Sequence, residues 1–400
     1  MTARSFNWLT ALALVVGVMF AAGAGILTFV RGTLKPPLHP DPAAAPSVQD
    51  AAPLPGWAGP VAQAEQIARS ALSQQNLPGL SVAVGIDEAI VWAEGFGWAD
   101  METQVPVSPR TRFRISHASN ALTSAAVGWL LDQRQLRLDD EIQAWVPEFP
   151  RQQWPVTLRQ LMAHTAGVRH YRDEGEYEQT SKHCERAVEG VASFAQDPLL
   201  FEPDTRYKYS TYGWVLVSAA VEAAAAEPFP SFMRRRIFGP AGMSATTFDG
   251  AADALADRST AYEAEWNENR RPAAAVDYSC LSGAGGIVST PSDLVRFGLA
   301  MENAGLLKRT IVDLLQTPQI LATGAETKYG LGWMLESARL AGTPTRLAYH
   351  SGRTLVGGTA SLLTFPDRGL VVAVTANIAF ADTKGVGLAV AEAFARSPKR

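Results

Sequence analysis

Apolar residues repeat along the chain with two different periods. Residues 80–84 and 91–98 have the alternation of half-buried strands and are separated by a short Asp87-Glu88 turn. Strands are also predicted at 345–350, 359–365 and 370–377, and a Pro366-Asp367-Arg368-Gly369 turn joins the last two. Helical spacing of alanine and leucine predicts helices over 61–72, 118–134, 157–163, 212–226, 290–303 and 384–396. Strands near both ends with helices between them predict an α+β fold.

Residues 8–30 form an uncharged, largely apolar run. At 1.5 Å per residue, roughly 23 residues reach about 34 Å, enough for a helix to cross the hydrocarbon core of a bilayer. The alternative is a cleaved signal peptide that ends at Ala22-Gly23-Ala24. The apolar run continues past that sequence through Phe29 and Val30, which favours an uncleaved, single-pass transmembrane anchor.

The segment that follows has a different composition. Eight prolines fall between residues 32 and 60 among alanines and few large apolar side chains. Such a segment is typical of a semi-rigid extended tether. The predicted organisation is therefore an N-terminal region at 1–7, the anchor at 8–30, the tether at 31–60, a globular domain at 61–396 and a tail at 397–400.

Composition and charge exclude several classes of protein. Of the 400 residues, 47% are hydrophobic and 18% charged, which suffices for a substantial core. The net charge of −4 gives no electrostatic reason to bind nucleic acid. Six histidines without metal-ligand spacing and the absence of a phosphate-binding loop predict neither a metal nor a cofactor. The two cysteines, Cys184 and Cys280, allow one disulfide or two buried thiols, and we expect the thiols.

Three well-separated motifs resemble those of one enzyme family. Phe113-Arg114-Ile115-Ser116-His117-Ala118-Ser119-Asn120 resembles the strand-to-helix turn of serine β-lactamases and penicillin-binding proteins, where the motif S-x-x-K lies. Tyr209-Ser210-Thr211 resembles their Y-x-N motif, and His350-Ser351-Gly352 resembles their K-T-G or H-x-G motif. The resemblance covers about residues 61–396. It implies a β-lactamase/transpeptidase-like fold, with an antiparallel sheet flanked by helices and a helical subdomain.

Within this family the chain resembles the branch of membrane-anchored mitochondrial β-lactamase-like proteins and their bacterial relatives. The motifs Gly97-Trp98-Ala99-Asp100 and Arg169-His170-Tyr171 and the threonine at position 211 carry this likeness. The resemblance implies that the body is extracytoplasmic, in the periplasm if the source is Gram-negative. It also implies that self-association is one candidate property.

The chain has lost both halves of the family's catalytic dyad. In S-x-x-K, one helical turn places a lysine amine beside the serine hydroxyl, which is too weak a nucleophile without a base. Aligned on the motif, the nucleophile position is His117 and the lysine position is Asn120. Only seven lysines occur, and none of them lies three residues after a serine. The sequence therefore contains no S-x-x-K at all.

The remaining polar residues support three hypotheses. In the first, the chain is a catalytically impaired member that binds a peptide-like or cell-wall-like small ligand. In the second, it is an atypical hydrolase that uses His117, Tyr209 and His350, since imidazole titrates near neutrality. In the third, it is a structural, self-assembling membrane-tethered protein. The predicted site residues are His117, Asn120, Tyr209, Thr211, His350 and Gly352.

Overall fold

A twisted antiparallel sheet forms the centre of the molecule. The computed structural model describes residues 37–50, 52, 55–173, 176, 182–250, 255–264, 270–353 and 357–396. The main sheet has the strand order β1-β3-β2-β13-β12-β11-β10, and β4 pairs with the end of β3. The strands are β1 Ser47–Gln49, β2 Gly79–Ile86, β3 Ala89–Asp100, β4 Val105–Pro106, β10 Met334–Leu340, β11 Thr343–Arg353, β12 Thr359–Phe365 and β13 Leu370–Ala376.

The N-terminal and C-terminal strands meet at the middle of this sheet. Strand β13 pairs with β2 so that Val372 is opposite Val84 and Val374 is opposite Val82. These four side chains belong to one core, while the intervening Ala83 and Ala373 belong to the core on the other face. Burial on both faces follows because helices cover both. The predicted sheet built from both ends of the chain is confirmed.

Helices form a layer on each face of the sheet and a separate helical subdomain. Two of them, α1 (Ala58–Gln74) and α8 (Thr383–Ala395), pack together on one face, and α6 (Pro291–Glu302) packs on the other. The subdomain contains α2 Ser119–Asp132, α3 Leu158–Met162, α4 Thr211–Ala225, α5 Phe229–Met233 and α7 Arg309–Leu315. Five short strands complete the described strands: β5 Phe113–Arg114, β6 Thr247–Phe248, β7 Tyr262–Ala264, β8 Arg270–Pro272 and β9 Ile287–Ser289.

Residues 37–50, within the segment predicted to be a tether, pack against the body. Strand β1 pairs with β3, and the Arg69 guanidinium donates to the carbonyl of Ala45 at 2.8 Å and to Ser47 Oγ at 2.8 Å. Because proline-rich backbone leaves many carbonyls without partners, one arginine can bind several of them. This differs from the extended tether expected for the whole of 31–60. The predicted anchor at 8–30 lies outside the described residues, among which no helix is long and apolar enough to cross a membrane.

The two cysteines form a disulfide, so the expectation of free thiols was wrong. Cys184 is bonded to Cys280 across 96 residues of sequence. The backbone N–H of Cys184 also donates to Ser279 Oγ at 2.8 Å, which holds the two segments together. Sequence spacing carries no information about such a contact, because it arises only when the subdomain folds.

Candidate functional site

A tight turn between β5 and α2 presents the first pair of predicted site residues. Strand β5 pairs with β9, and the N–H of Ile115 donates to the Ile287 carbonyl at 3.1 Å. Ser116 then takes a left-handed conformation, with φ of 51°, which a residue with a side chain adopts only at a cost. A 3₁₀ turn over Ser116–Ala118 leads into α2. The turn leaves His117 partly exposed and Asn120 fully buried.

Strand β11 lies very close to this turn, and a glycine makes the approach possible. A Cβ atom at Gly352 would be 2.1 Å from the carbonyl oxygen of Ile115 and 2.7 Å from the backbone nitrogen of His117. Any side chain at position 352 would therefore force the strand and the turn apart. His350, two residues earlier on the same strand, is fully buried. Strand β11 thus forms one wall of the site.

The N-terminus of α4 forms the opposite wall. Ser210 is its N-cap, and its Oγ accepts from the N–H of Gly213 at 3.0 Å and donates to the Arg169 carbonyl at 2.7 Å. The capped helix end places Tyr209 and Thr211 next to the β5–α2 turn. Thr211 Oγ1 lies 3.1 Å from His117 Nε2, and Asn120 Nδ2 donates to Tyr209 Oη at 3.0 Å.

The structure therefore brings all six predicted site residues together. Asn120 Nδ2 also lies 3.5 Å from His350 Nε2, and Gly352 packs against the backbone of His117. The grouping joins a turn from the start of the domain, a helix N-terminus from its middle and a strand from its end. We call His117, Asn120, Tyr209 and Thr211 the pocket group.

A hydrogen-bonded network of three side chains lies beneath the pocket group. The N–H of Ser210 donates to His164 Nδ1 at 3.1 Å, and the indole N–H of Trp214 donates to His164 Nε2 at 3.3 Å. His164 Nε2 lies 3.2 Å from Tyr329 Oη, which lies 2.9 Å from His350 Nε2. His350 Nδ1 lies 3.1 Å from the carbonyl of Ser351 and must donate to it, which leaves Nε2 to accept the Tyr329 proton. Tyr329 Oη therefore links the two histidine rings.

We call His164, Tyr329 and His350 the buried network. Their exposed fractions are 2%, 1% and 0%. Both ring nitrogens of His164 and of His350 have a partner inside the protein, so the two rings are held in place. A catalytic role for His350 stays a prediction.

Residues 64–395 match the sequence profile of the Beta-lactamase family. The chain belongs to this family. The human serine β-lactamase-like protein LACTB, a mitochondrial protein, is 26% identical over 79% of this chain and 76% of its own length. Esterase EstB of Burkholderia gladioli is 27% identical over 81% of this chain and 92% of its own length.

Solved structures share the fold. A penicillin-binding protein homologue of Pyrococcus abyssi, described as octameric, superposes with a TM-score of 0.71 and 21% identity, over 82% of this chain and 76% of that one. EstCE1, described as a hydrolase with promiscuous acyltransferase activity, gives a TM-score of 0.71 and 22% identity over 84% and 98%. The predicted family and its α+β fold are confirmed.

Burial keeps the ionisable side chains of this β-lactamase-family pocket neutral at pH 7. Burial first, and then His170, His350 and Arg353, lower the pKa of His117 to about 3. Burial lowers the pKa of His350 to about 4 and raises the pKa of the Tyr209 phenol well above its usual value. His117 therefore keeps an uncharged ring, and Tyr209 keeps its proton.

Sequence reasoning missed Tyr329, which connects the two histidines of the buried network. Nothing marks it in the sequence, where it stands in the ordinary stretch Tyr329-Gly330-Leu331-Gly332-Trp333. His170 was visible through the Arg169-His170-Tyr171 motif, and its Nδ1 accepts from the N–H of Thr211 at 3.2 Å. In the described part of the chain, no group of three or more histidine, cysteine, aspartate or glutamate residues has the geometry to hold a metal ion.

Proposed function

We propose that the chain is a membrane-anchored, extracytoplasmic member of the β-lactamase family that binds a peptide-like or cell-wall-like ligand without forming a serine acyl-enzyme. The observation that carries this proposal is the contact between Asn120 and Tyr209. At the position of the family's lysine, an amide nitrogen donates to the tyrosine oxygen at 3.0 Å. A lysine amine can accept a proton from a nucleophile, whereas an amide nitrogen has no lone pair available for this role.

The position of the family's nucleophile supports the same conclusion. His117 stands there with an imidazole ring, and a serine lies on its N-terminal side at position 116 and two residues after it at position 119. Ser116 Oγ donates to the Gly358 carbonyl at 3.4 Å, and Ser119 Oγ is fully buried without a hydrogen-bond partner among the described residues. Removal of the nucleophile from such a unit costs on the order of 10⁶ in turnover. Binding survives such a loss, because it depends on shape and on polar groups that the pocket keeps.

The disulfide supports the proposed location. Disulfides persist in extracytoplasmic compartments and are rare in reducing ones, and Cys184 is bonded to Cys280. The apolar segment 8–30 would hold the body at the membrane as a single-pass helix. Mass spectrometry of the mature N-terminus tests this part, and cleavage after Ala24 would contradict it. Self-association stays a prediction.

The binding proposal is tested with a fluorescent penicillin and the full-length chain. We expect saturable binding by fluorescence anisotropy, competition by unlabelled ligand, and no label on the protein after denaturing electrophoresis. Ser116→Ala and Ser119→Ala serve as matched variants and should leave the anisotropy titration unchanged. A label that survives denaturation and disappears in either serine variant would show a serine acyl-enzyme and would sink the proposal.

One contact favours a second candidate function, an atypical hydrolase. Thr211 Oγ1 lies 3.1 Å from His117 Nε2, which is the arrangement of a hydroxyl nucleophile and its general base. His117 would take the hydroxyl proton as Oγ1 attacks an ester carbonyl, a slow step because the pKa of His117 is about 3, and the protonated ring would return the proton to the leaving alcohol. Water would then release the acid from Thr211. Esterase turnover that is lost in both His117→Ala and Thr211→Val but kept in Ser116→Ala would establish this function.

A further inference from the structure

The arm that residues 37–50 form begins at one end of the main sheet. The N–H of Leu38 donates to Asn76 Oδ1 at 2.8 Å, and His39 Nε2 lies 3.3 Å from the carbonyl oxygen of Pro78. Both contacts lie directly before the first residue of β2. Because the strands are antiparallel, β3, β11 and β13 end here and β12 begins here. We call this the entry end of the sheet.

A short stretch of chain connects the entry end to the proposed membrane helix at 8–30. Residues 30 and 37 are seven peptide bonds apart. A chain of that length reaches at most about 25 Å, whereas a globular body of roughly 360 residues is about 50 Å across. The entry end therefore stays near the bilayer, since turning the opposite end toward the lipid would lift residue 37 out of reach. This proximity depends on the anchor proposed for residues 8–30.

Two exposed apolar side chains lie at the entry end. Phe380 follows β13 and is 56% exposed, and Val105 on β4 is 51% exposed. Strand β4 pairs with the end of β3, where Val105 is opposite Asp100. The Asn377 amide donates to the Trp98 carbonyl at 3.0 Å, which joins the end of β3 to the segment that leads to Phe380. The other large apolar side chains that are exposed in the described part of the chain belong to loops of the helical subdomain: Leu200, Tyr207 and Ile320.

The backbone and the neighbour of Phe380 indicate a role for its ring outside the body. Its φ is 68°, a left-handed value that a bulky residue rarely adopts. Strained backbone of this kind clusters at functional sites. The guanidinium carbon of Arg353 lies 4.9 Å from the centre of the ring, and Arg353 is itself exposed. At the interface between lipid and water, aromatic rings lie at the level of the headgroups and guanidinium groups bind phosphate.

We propose that the entry end is a membrane-contact surface, in which Phe380 and Val105 enter the headgroup layer of a phospholipid bilayer and Arg353 binds a lipid phosphate. Two apolar side chains are few for a protein that binds a membrane from solution, which needs a larger apolar area or strong charge. The anchor changes this requirement, because it makes the contact intramolecular and the effective concentration of lipid high. The contact then fixes the orientation of the body on the membrane.

The test places a fluorescent reporter on this surface of the full-length chain. Cys184 and Cys280 are bonded to each other, so Val105→Cys introduces the thiol that a nitrobenzoxadiazole maleimide labels. The chain is reconstituted in nanodiscs of phosphatidylcholine and phosphatidylglycerol that carry a nitroxide on the acyl chain near the headgroup. We expect blue-shifted emission and strong quenching at position 105. The same label on Ile320→Cys, a residue 54% exposed in the helical subdomain, should emit as in water and stay unquenched.

Variants of the other two residues measure the contribution of each. With the reporter at position 105, Phe380→Ser should lower the ratio of quenched to unquenched label about tenfold, because one aromatic side chain leaves an apolar contact. Phe380→Trp should keep the ratio. Arg353→Gln should lower it about fivefold, the contribution typical of one basic residue at an anionic surface. Leu200→Ser is the matched control, because it removes a side chain 46% exposed in the helical subdomain, and it should leave the ratio unchanged.

Failure of the anchor and failure of this contact give different results. A chain that leaves vesicles of the same lipids in an alkaline carbonate wash would refute the anchor and, with it, the contact. A chain that stays in the vesicles but emits identically from positions 105 and 320 would refute the contact alone. Blue-shifted but unquenched label at position 105 would show that protein, such as a second copy of the chain, covers the surface, and would overturn the proposal. Unchanged quenching in both Phe380→Ser and Arg353→Gln would also overturn it.

Discussion

The buried network and the pocket group lie in contact, yet they satisfy their polar atoms in opposite ways. His164, Tyr329 and His350 are almost completely buried, and the Tyr329 hydroxyl lies within hydrogen-bond distance of both histidine rings. His117 and Tyr209 are partly exposed, and Oδ1 of the buried Asn120 has no donor among the described residues. His164 and His350 in the buried network therefore have a different role from His117 in the pocket group.

This difference indicates that the buried network stabilises the fold, whereas the pocket group contacts a ligand. A network whose donors and acceptors are all used inside the protein stabilises the fold and offers nothing to a ligand. The pocket group keeps the phenolic proton of the partly exposed Tyr209, for which no described residue provides an acceptor. We therefore expect substitutions in the network to change stability and substitutions in the pocket group to change binding.

The largest effect is expected where the two regions join, at Gly352. Gly352→Ala would place a methyl group 2.1 Å from the Ile115 carbonyl oxygen. The clash is with backbone atoms, which cannot rotate away as a flexible side chain could. We expect a loss of at least about 3 kcal/mol in the free energy of unfolding, measured with urea. Gly59→Ala is the control, because no atom lies within 4 Å of the added carbon, and it should be neutral or slightly stabilising. Equal effects of the two substitutions would show that β11 does not need its close approach.

The second largest effect is expected from acid, which should lower the free energy of unfolding through the buried network. The pKa of His350 is about 4 in the folded protein, whereas a histidine in an unfolded chain titrates near 6.5. As the pH falls, the unfolded chain therefore binds a proton at this residue before the folded protein does. The stabilisation of the folded state by neutral His350 is complete above about pH 6.5 and is lost by about pH 4. The loss for this residue is at most roughly 3 kcal/mol. Urea unfolding at pH 7 and pH 4.5 measures it, and His350→Gln should show a smaller difference between the two pH values than the wild type.

Tyr329→Phe should have a somewhat smaller effect. The change removes the hydroxyl that His164 and His350 share, so both rings lose a partner in a site without access to water. We expect a loss of about 2 kcal/mol in the free energy of unfolding. Tyr207→Phe is the matched control, because its ring is 37% exposed, and it should change stability very little. If the two variants were equally stable, the network would have no structural role.

The smallest effect on stability is expected in the pocket group. His117→Gln removes a ring whose described hydrogen bond is the contact with Thr211. We expect a loss below about 1 kcal/mol, together with weaker binding of the fluorescent penicillin. Urea unfolding and anisotropy titrations on the same preparation separate the two effects. A stability loss as large as that of Tyr329→Phe, with unchanged binding, would reverse the assignment of roles.

Much of the fold was predictable because its elements have regular patterns. The predicted strands at 80–84 and 91–98 lie within β2 and β3, and the helix predicted at 290–303 is α6, which begins after the N-cap Thr290. Strand β10 was missed, because Met334–Leu340 is an edge strand with exposed positions and no clean alternation. The site positions followed from motif resemblance, while the buried network did not, because Tyr329 meets His164 and His350 only in the folded chain.

The central claim is that the chain has a family pocket that lacks only the acylating dyad. Intact-protein mass spectrometry after incubation with benzylpenicillin tests it directly, on the wild type and on His117→Ser combined with Asn120→Lys. We predict no mass increase for the wild type and a single penicilloyl adduct for the double variant. A stable adduct on the wild-type chain would contradict the claim.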